Sequence, residues 1–470
     1  MLKRLILTYI ERIDYMKYEL KNGWTKDIDK DVVFKFAEGY KDFLNVCKTE
    51  RESIKEAVRL LEDCGFKELD SFSTLKEGDK VYKVNKGKSL FAAVIGSAPI
   101  ANGVNIVGAH VDAPRLDLKT NPLYEDGEMA YFKTHYYGGI KKYQWTAVPL
   151  ALHGTVVRKD GSKIDVRIGE EGDDLTFVIT DLLPHLAQEQ MQKTPGTVVE
   201  GEQLNLLIGS MPLDGEEKNA VKANILSILN EKYGMIEEDF LSAEFEIVPA
   251  AKAKDIGFDR SLIGAYAHDD RVCAYPSLMA IITTEACEKT AVCLLTDKEE
   301  VGSMGNTGAK SAFMKLALLE MLEKAGEGAT ELNLLGCLDK SYCLSADVNA
   351  GFDPNFPSPY EKNNCAKLNY GVAIAKYTGA RGKGGSSDAS AELMGKIRTL
   401  FNENGVLWQV GELGKVDAGG GGTIAQYVAN LGVETVDCGV SVLSMHAPYE
   451  VVSKLDVYMT NKAISAFYKA

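Results

Sequence analysis

Two adjacent glutamates, Glu299 and Glu300, follow an apolar run at residues 290–295 that is typical of a buried strand. Adjacent side chains at the end of a strand point to opposite sides. One carboxylate could therefore bind a metal ion while its neighbour reaches a water molecule on that ion. Most isolated Glu-Glu pairs are solvated surface carboxylates, so the interpretation depends on whether the chain offers further ligands.

A histidine and an aspartate, His110 and Asp112, follow the strand predicted at residues 104–108. Their spacing of two places both side chains on one face if the strand continues that far. The histidine could then bind a metal while Asp112 accepts its other ring N–H and fixes the tautomer. Taken alone, a His-x-Asp pair is more often structural.

Three further candidates lie near predicted strands or helices. Asp269 precedes a helix predicted at residues 272–287, where it could cap the helix or bridge two cations, with Asp270 and Arg271 fixing its surroundings. Asp347 follows a run of strand character, and His446 follows the strand predicted nearest the C-terminus. Each of these residues alone would be an ordinary turn aspartate or structural histidine.

Together the candidates form a balanced pair of metal sites, with one histidine, one terminal carboxylate and a shared Asp269 for each ion. Nitrogen and oxygen ligands without thiolate suit Zn²⁺, with Co²⁺ and Mn²⁺ as alternatives. Two such ions about 3.5–4 Å apart polarise a carbonyl and lower the pKa of a bridging water towards ~7. Glu299 is not needed as a ligand and is free to accept the proton. The five predicted ligands are His110, Asp269, Glu300, Asp347 and His446.

Charge and composition exclude several classes of partner. The net charge of −14 disfavours binding to nucleic acid and to anionic membranes. No stretch approaches the roughly 20 apolar residues that span a bilayer. The apolar start is interrupted by Glu11, Arg12 and Asp14, unlike a signal peptide. Nine scattered cysteines without Cys-x-x-Cys fit neither a disulfide framework nor a zinc ribbon, so we predict a cytoplasmic protein.

Glycine-rich segments at residues 382–387 and 417–424 lack the phosphate-loop spacing, and no Gly-x-Ser-x-Gly motif offers a serine nucleophile. We interpret both segments as tight turns whose backbone N–H groups could face substrate. Nucleotide chemistry is therefore not expected.

The elements that must position these residues form an α/β framework interrupted by a β-rich segment. Residues 1–114 and 266–470 are predicted to form one discontinuous catalytic domain, and residues 115–265 an inserted domain with one helix at 217–233. A first helix is predicted at residues 30–64. Strands are predicted at residues 90–95, 104–108, 150–157, 163–168, 291–295, 332–338, 371–376, 406–410 and 434–440.

These residues resemble the aspartyl aminopeptidase / aminopeptidase I family of co-catalytic zinc metallopeptidases, from about residue 40 to the C-terminus. The family resemblance implies a mixed-sheet, three-layer α/β catalytic domain with an inserted β-rich dimerisation domain. It also implies dimers that assemble into a tetrahedral dodecamer. The motifs that carry it include Gly108-Ala-His-Val-Asp-Ala-Pro-Arg-Leu-Asp-Leu-Lys119, Tyr137-Gly-Gly139, Asp269-Asp270, Glu299-Glu300-Val301-Gly302-Ser303, Ser345-Ala-Asp347 and Leu443-Ser-Met-His446.

The same resemblance implies a role for each candidate residue. Glu299 would be the general base, and Asp112 would orient His110. Two zinc ions would be held by two sets that share one aspartate. The implied sets are His110, Asp269 and Asp347 for one ion, and Asp269, Glu300 and His446 for the other.

The chain departs from the family pattern where the substrate would lie. Residues 349–353 read Asn-Ala-Gly-Phe-Asp where eukaryotic members of the family typically have a His-Ala-x-His segment. Glu189 takes the position of a histidine that would reach a neighbouring subunit, although His185 is close by. After His446, residues 447–450 read Ala-Pro-Tyr-Glu instead of the family's Ser-Arg/x-Glu.

We predict an aminopeptidase that acts on peptides. Lys376, Arg381 or Lys383 could meet an acidic side chain or carboxylate of the substrate, or could be solvated loop charges. A related co-catalytic-zinc carboxypeptidase or deacylase would share the metal ligands. A non-catalytic, self-assembling shell is the alternative from another class, and the complete set of ligands together with Glu299 argues against it.

Overall fold

The computed structural model describes residue 16 and residues 18–170, 172–173, 175–285, 287–379 and 381–470. Its helices are α1 (Lys30–Val46), α2 (Glu50–Asp63), α3 (Gln188–Gln192), α4 (Ala220–Tyr233), α5 (His268–Ile282), α6 (Phe313–Lys324), α7 (Glu331–Asp339), α8 (Ala391–Glu403), α9 (Ala425–Ala429) and α10 (Lys454–Tyr468). Its strands are β1 (Lys67–Glu68), β2 (Lys80–Asn85), β3 (Ser89–Val94), β4 (Asn105–His110), β5 (Arg115–Asp126), β6 (Met129–Tyr137), β7 (Leu150–Val157), β8 (Lys163–Ile168), β9 (Leu206–Gly209), β10 (Ala243–Pro249), β11 (Lys254–Ile256), β12 (Leu262–Ala265), β13 (Ala291–Thr296), β14 (Tyr342–Ser345), β15 (Asn349–Ala350), β16 (Val372–Ala375), β17 (Trp408–Val410), β18 (Glu434–Gly439), β19 (Ser441–Leu443) and β20 (Glu450–Ser453).

The largest sheet is mixed and has the strand order β1-β2-β3-β13-β4-β14-β18-β16-β17. Its central strands β13, β4, β14 and β18 run parallel to one another. Their carboxyl ends therefore meet at one edge of the sheet, where open α/β sheets place their binding sites.

Helices cover both faces of this sheet, because alternate side chains of its strands enter different apolar clusters. Cys293 and Leu295 of β13 pack in a cluster with residues of α2, α5 and α10. Val292 and Leu294 of the same strand pack with residues of α6 and α7. All six residues of β13 are buried, as expected for a strand covered on both sides.

A second, antiparallel sheet has the order β8-β7-β10-β5-β6-β9 and comes entirely from residues 115–249. Its core contains the buried Trp145 and Phe240, with α4 packed against it through side chains such as Ile225. This sheet forms most of the segment predicted as an insertion, and we refer to residues 115–265 as the inserted region.

A third sheet, β11-β12-β20-β19-β15, joins the end of the inserted region to the C-terminal part of the chain. Residues 262–265 pair antiparallel with residues 450–453. By strand pairing, residues 254–265 therefore belong with the C-terminal segment, while the predicted domain limit at residue 265 stays a prediction.

Two predicted elements differ from the structure. The helix predicted at residues 30–64 is two helices. The first ends with Cys47 as its C-cap, and the second begins after its N-cap, Thr49. The Thr49 side chain accepts the N–H of Glu52, whose carboxylate accepts the N–H of Thr49 in a capping box. This capping box is what separates the two helices.

The strand predicted at residues 332–338 is wrong, since this segment is helix α7. Thr330 caps its N-terminus, and Leu334, Cys337 and Leu338 are buried at helical spacing. The strand that leads to Asp347 is the shorter β14. In the part of the chain that the structure describes, no helix has the length and apolar character needed to cross a membrane.

Candidate metal centre

The predicted ligands meet at the carboxyl edge of the large sheet. His110 is the last residue of β4 and is paired in register with Thr296, the last residue of β13. Asp347 comes two residues after β14, and His446 follows β19. Asp269 lies at the start of α5, in non-helical backbone geometry that turns its side chain towards the sheet edge, and the Asp269–Asp270 peptide bond is cis.

The sequence predicts that the two glutamates lie at the end of a strand, but the structure places them in a turn after it. The strand stops at Thr296, and Lys298 then adopts a left-handed conformation with φ of 65°. Glu299 and Glu300 begin a 3₁₀ turn, Glu299–Val301. Their backbone N–H groups donate to the Asp112 carboxylate, Glu299 N at 3.1 Å and Glu300 N at 3.2 Å. Asp112 therefore holds the turn as well as the histidine.

The Asp269 carboxylate faces both histidines. Its Oδ1 lies 3.2 Å from His110 Nε2, and its Oδ2 lies 3.2 Å from His446 Nε2. Asp347 Oδ1 is 3.9 Å from His110 Nε2, and Glu300 Oε2 is 3.5 Å from His446 Nε2. In each of the two sets the potential ligand atoms lie within 4.8 Å of one another. Each set can therefore surround one cation, with Asp269 common to both.

Hydrogen bonds at the other ring nitrogen fix the tautomer of each histidine. His110 Nδ1 lies 3.1 Å from the backbone oxygen of Asp112 and 3.3 Å from its Oδ1. His446 Nδ1 lies 2.8 Å from the carbonyl oxygen of Gly139. Because a carbonyl oxygen only accepts hydrogen bonds, Nδ1 carries the proton in both rings. Nε2 of each ring therefore faces the carboxylates and is the ring atom left to bind a metal ion.

The charges of the site fit a pair of cations. Burial raises the pKa of Asp347 and of Glu300 well above the ordinary range, and neighbouring carboxylates raise both further. Burial lowers the pKa of His446, but its hydrogen bond with Asp269 and the charge of Glu300 outweigh this effect and raise it to about 10. Glu300 Oε1 is buried and accepts no hydrogen bond from the described residues. Bound cations compensate such crowding, and these nitrogen and oxygen donors suit zinc.

Comparisons with known proteins identify the family of the chain. The family model described as aminopeptidase I zinc metalloprotease (M18) matches residues 43–468. The chain belongs to the M18 aminopeptidase family. The predicted family and enzyme class are thereby confirmed: this M18 member is a metallo-aminopeptidase, a hydrolase of a zinc-dependent family.

Individual relatives cover nearly the whole M18 chain. A Clostridium acetobutylicum protein named "Probable M18 family aminopeptidase 1" is 50% identical over 456 residues, which are 96% of this chain and 98% of the relative. The crystal structure of the M18 aminopeptidase from Thermotoga maritima matches with a TM-score of 0.94 and 45% identity, covering 96% of this chain and 100% of its own. The mixed α/β fold predicted from the sequence is confirmed by this match.

A more distant solved structure, the S. cerevisiae mApe1 dodecamer, matches with a TM-score of 0.74 and 21% identity, covering 93% of this chain and 97% of its own. At this identity the match shows a shared fold and nothing further.

Glu299 lies beside the first histidine in this M18 site. Its Oε2 is 4.0 Å from His110 Nε2, and its side chain lines the pocket described below. Burial raises the pKa of Glu299 to about 7, with further raising by Asp269 and Asp112 and opposition from His110. A carboxylate with a pKa in this range can both accept and return a proton near neutral pH.

Sequence reasoning missed the role of Glu450. Its buried carboxylate accepts the backbone N–H of Asp269 at 3.0 Å and that of His446 at 2.7 Å. Burial raises the pKa of Glu450 to about 8. Glu450 begins β20 and ends the segment 447–450, whose departure from the family pattern was the one signal in the sequence that pointed to this position.

Asp270 and Arg271, which were predicted to fix the surroundings of Asp269, connect the start of α5 to the end of β4. An Asp270 oxygen accepts the backbone N–H of His110 at 3.3 Å. The buried guanidinium of Arg271 donates to the carbonyl oxygen of Val111 at 3.1 Å. Both contacts tie the start of α5 to the end of β4.

A pocket of about 560 Å³ opens beside the predicted ligands. Arg381 and Lys383 line it, whereas Lys376 is not among the lining residues. Lys376 and Lys383 both form ion pairs with Asp388, at 2.6 and 2.8 Å. The Gly-rich loop at residues 419–422 forms another part of the wall.

The departures from the family pattern lie in different places. Asn349 lines the pocket, next to Asp347 and Val348. Glu189 and His185 are exposed in the inserted region. Within one subunit, two departures border the predicted metal centre: Asn349 in the pocket wall, and the segment 447–450, whose Glu450 accepts the N–H groups of Asp269 and His446.

Proposed function

We propose that this M18 enzyme releases the N-terminal residue of peptides at a dinuclear zinc centre, with Glu299 as general base. The observation that carries the proposal is the division of the Asp269 carboxylate, whose two oxygens each lie 3.2 Å from a different histidine. A carboxylate in this arrangement suits two neighbouring cations better than one. Co²⁺ or Mn²⁺ could take the place of zinc with the same donors.

The proposed ligands are His110, Asp269 and Asp347 for one ion, and Asp269, Glu300 and His446 for the other. Two zinc ions held there would supply Lewis acidity, which polarises the peptide carbonyl and makes a water molecule more acidic. The protein contributes the orientation of both histidines, through Asp112 and Gly139.

Glu299 handles the proton in this proposal. Its carboxylate faces the pocket beside His110, while its backbone is held by Asp112. It accepts a proton from the attacking water and returns it to the nitrogen of the departing peptide. Asp112 is fully buried and acts by orienting His110 and the turn that carries Glu299.

The pocket accommodates the N-terminal residue of the peptide. Arg381 and Lys383, in its wall, are the proposed contacts for a carboxylate of the substrate. Lys376 is proposed to contact the substrate carboxylate from the edge of the pocket, since it forms an ion pair with Asp388, which also pairs with Lys383. The balance of Arg381 and Lys383 against Glu412, which also lines the pocket, will set the preference between acidic and neutral residues.

The deciding experiment compares wild type, Glu299→Gln and the exposed control Glu403→Gln on aminoacyl-anilides with Zn²⁺, Co²⁺ or Mn²⁺. We expect Glu299→Gln to lose activity by about 10²–10⁴-fold while it keeps two metal ions, and Glu403→Gln to match wild type. Full activity in folded, metal-loaded Glu299→Gln would refute the assigned base. Cleavage of N-acetylated or C-terminal substrates instead of free aminoacyl substrates would identify a deacylase or carboxypeptidase.

The inserted region is proposed to mediate dimerisation, and the dimers to form a tetrahedral dodecamer in the cytoplasm. Exposed apolar side chains cluster in one of its segments: Leu182, Leu183, Leu186 and Met191 are 53%, 48%, 71% and 74% exposed. Contiguous exposed apolar side chains commonly mark protein interfaces. The distant fold relative mApe1 is itself a dodecamer.

Light scattering coupled to size exclusion tests this assembly. Leu186→Glu should dissociate the particle, because it places a charge in the apolar segment. Leu332→Glu changes a leucine of α7 that is 80% exposed and is expected to leave the mass unchanged. A wild-type protein with the mass of one chain would rule the assembly out.

A further inference from the structure

The inserted region reaches the metal centre through residues 137–139, at the end of β6. The hydroxyl of Tyr137 donates to Asp112 Oδ2 at 2.8 Å. Two residues later, the carbonyl oxygen of Gly139 lies 2.8 Å from His446 Nδ1. One short segment therefore contacts the group that orients the first histidine and, directly, the second histidine.

Asp112 is the point on which several contacts converge. Its Oδ1 lies 3.3 Å from His110 Nδ1 and accepts Glu299 N at 3.1 Å. Its Oδ2 accepts Glu300 N at 3.2 Å and the Tyr137 hydroxyl. The carboxylate is fully buried, so no solvent can replace a missing donor. Without the hydroxyl, Oδ2 would keep one donor and the carboxylate could rotate.

The tyrosine ring is itself held in place. Arg115 is the register partner of Tyr137 across β5 and β6, and its guanidinium lies 3.9 Å from the ring centroid. The Arg115 Nε atom lies 2.8 Å from Asp117 Oδ1 and 3.1 Å from Glu246 Oε2. The pairing with the buried Glu246 and the partly exposed Asp117 fixes the guanidinium, and the guanidinium holds the ring in place.

The backbone after Tyr137 passes close to the second ligand set. A Cβ atom at Gly138 would lie 3.3 Å from Glu300 Cβ, and the φ of Gly138 is 75°. The approach therefore requires glycine here. It also shows that residues 137–139 are packed against the Glu300 turn.

We propose that Tyr137 is a positioning residue that acts through Asp112 on His110 and on the Glu299–Glu300 turn. The inserted region thereby completes the metal centre, in addition to its proposed part in assembly. This inference rests on the proposed dinuclear site.

The first test titrates Zn²⁺ into metal-free Tyr137→Phe by calorimetry, with Tyr136→Phe as the matched control. Tyr136 is the neighbouring residue of the same strand, and its side chain is 42% exposed. Removing one hydroxyl around a ligating histidine should weaken one of the two zinc-binding steps by about 10-fold. With saturating zinc, kcat should fall by about 10-fold and KM should stay within about 2-fold. Zinc affinities and kcat equal to those of Tyr136→Phe would overturn the proposal.

A double-mutant cycle with Asp112→Ala tests whether the tyrosine acts through the aspartate. If it does, Tyr137→Phe should change zinc affinity by less than about 2-fold once the carboxylate is gone. A full 10-fold effect in that background would overturn the route through Asp112. If Asp112→Ala does not fold, the titration of Tyr137→Phe decides the proposal.

These titrations do not depend on turnover. An enzyme in which Glu299→Gln keeps full activity would refute the proposed base, while the zinc affinities of Tyr137→Phe would still support or overturn the positioning role. The two failures are therefore distinguishable.

Discussion

The carboxylate of Glu450 accepts the backbone N–H of Asp269 at 3.0 Å. Its other oxygen accepts the backbone N–H of His446 at 2.7 Å. Asp269 and His446 are the two residues whose side chains approach within 3.2 Å in the second ligand set. A single buried carboxylate therefore sets the separation of two predicted ligands through their main chains.

Glu450→Gln should weaken this arrangement. Glutamine offers one oxygen acceptor, and its NH₂ group would face one of the two N–H donors, leaving that donor unpaired in a buried site. We expect zinc affinity to fall by about 10-fold, measured by competition with a chromogenic chelator. The exposed Glu403→Gln provides the control for charge removal, and equal affinities in the two variants would contradict the role assigned to Glu450.

Asp269 and Asp347 should differ in the number of metal ions that they control. Asp269→Ala removes the carboxylate shared by both sets and should leave fewer than one ion per chain. Asp347→Ala removes a terminal carboxylate and should leave about one ion per chain. Elemental analysis of dialysed protein measures both values, and equal metal content in the two variants would argue against a shared ligand.

Arg381→Gln should alter specificity more than overall turnover. Removing a cation from the pocket wall weakens the attraction for an acidic N-terminal residue, so kcat/KM for an Asp- or Glu-anilide should fall by about 10-fold. Values for Leu- or Ala-anilides should change by less than about 2-fold. Arg398→Gln, on the exposed face of α8, makes the same change outside the pocket. A parallel loss for all substrates would mean that Arg381 does not select among them.

His153 should make the stability of the junction with the inserted region depend on pH. Its Nδ1 lies 2.9 Å from Glu52 of α2, and its Nε2 lies 2.9 Å from Glu170 of the inserted region. Burial lowers the pKa of His153, but the two carboxylates outweigh this effect, so the pKa is raised. The unfolded state binds the proton less tightly than the folded state. The stabilisation is therefore complete below the unfolded pKa of about 6.5 and is lost as the pH rises through the folded pKa.

His153→Gln removes this titration. The difference in unfolding free energy between wild type and His153→Gln should be largest near pH 6 and should shrink towards pH 9, as measured by urea unfolding. His135→Gln makes the same substitution on an exposed side chain outside the proposed interface and reports the effect of the replacement itself. A difference between wild type and His153→Gln that grows with pH would contradict the predicted sign.

The meeting of the five predicted ligands in one place could be predicted from sequence because they follow strands or begin a helix, and parallel strands bring their carboxyl ends together. The conformation of the Glu299–Glu300 turn could not, since it depends on the left-handed Lys298 and on donors to Asp112. Glu450 and Asp269 are 181 residues apart in sequence, so no local pattern reveals their contact. The segment of α7 was predicted as a strand because a short apolar run suits a buried strand and a buried helix equally.

The inserted region begins a few residues after His110 and ends a few residues before Asp269. About 160 residues lie between these points, since His110 N and Asp270 Oδ2, in hydrogen-bond contact, are separated by 160 positions. An ion bound by both His110 and Asp269 would therefore cross-link the two ends of a very long loop. Closing a loop of this length has a substantial entropic cost, and the binding free energy of an ion that binds only the folded chain offsets that cost. The proposed ions would then also stabilise the attachment of the inserted region to the rest of the chain. Chelation would destabilise the junction of the antiparallel sheet of residues 115–249 as well as the metal centre.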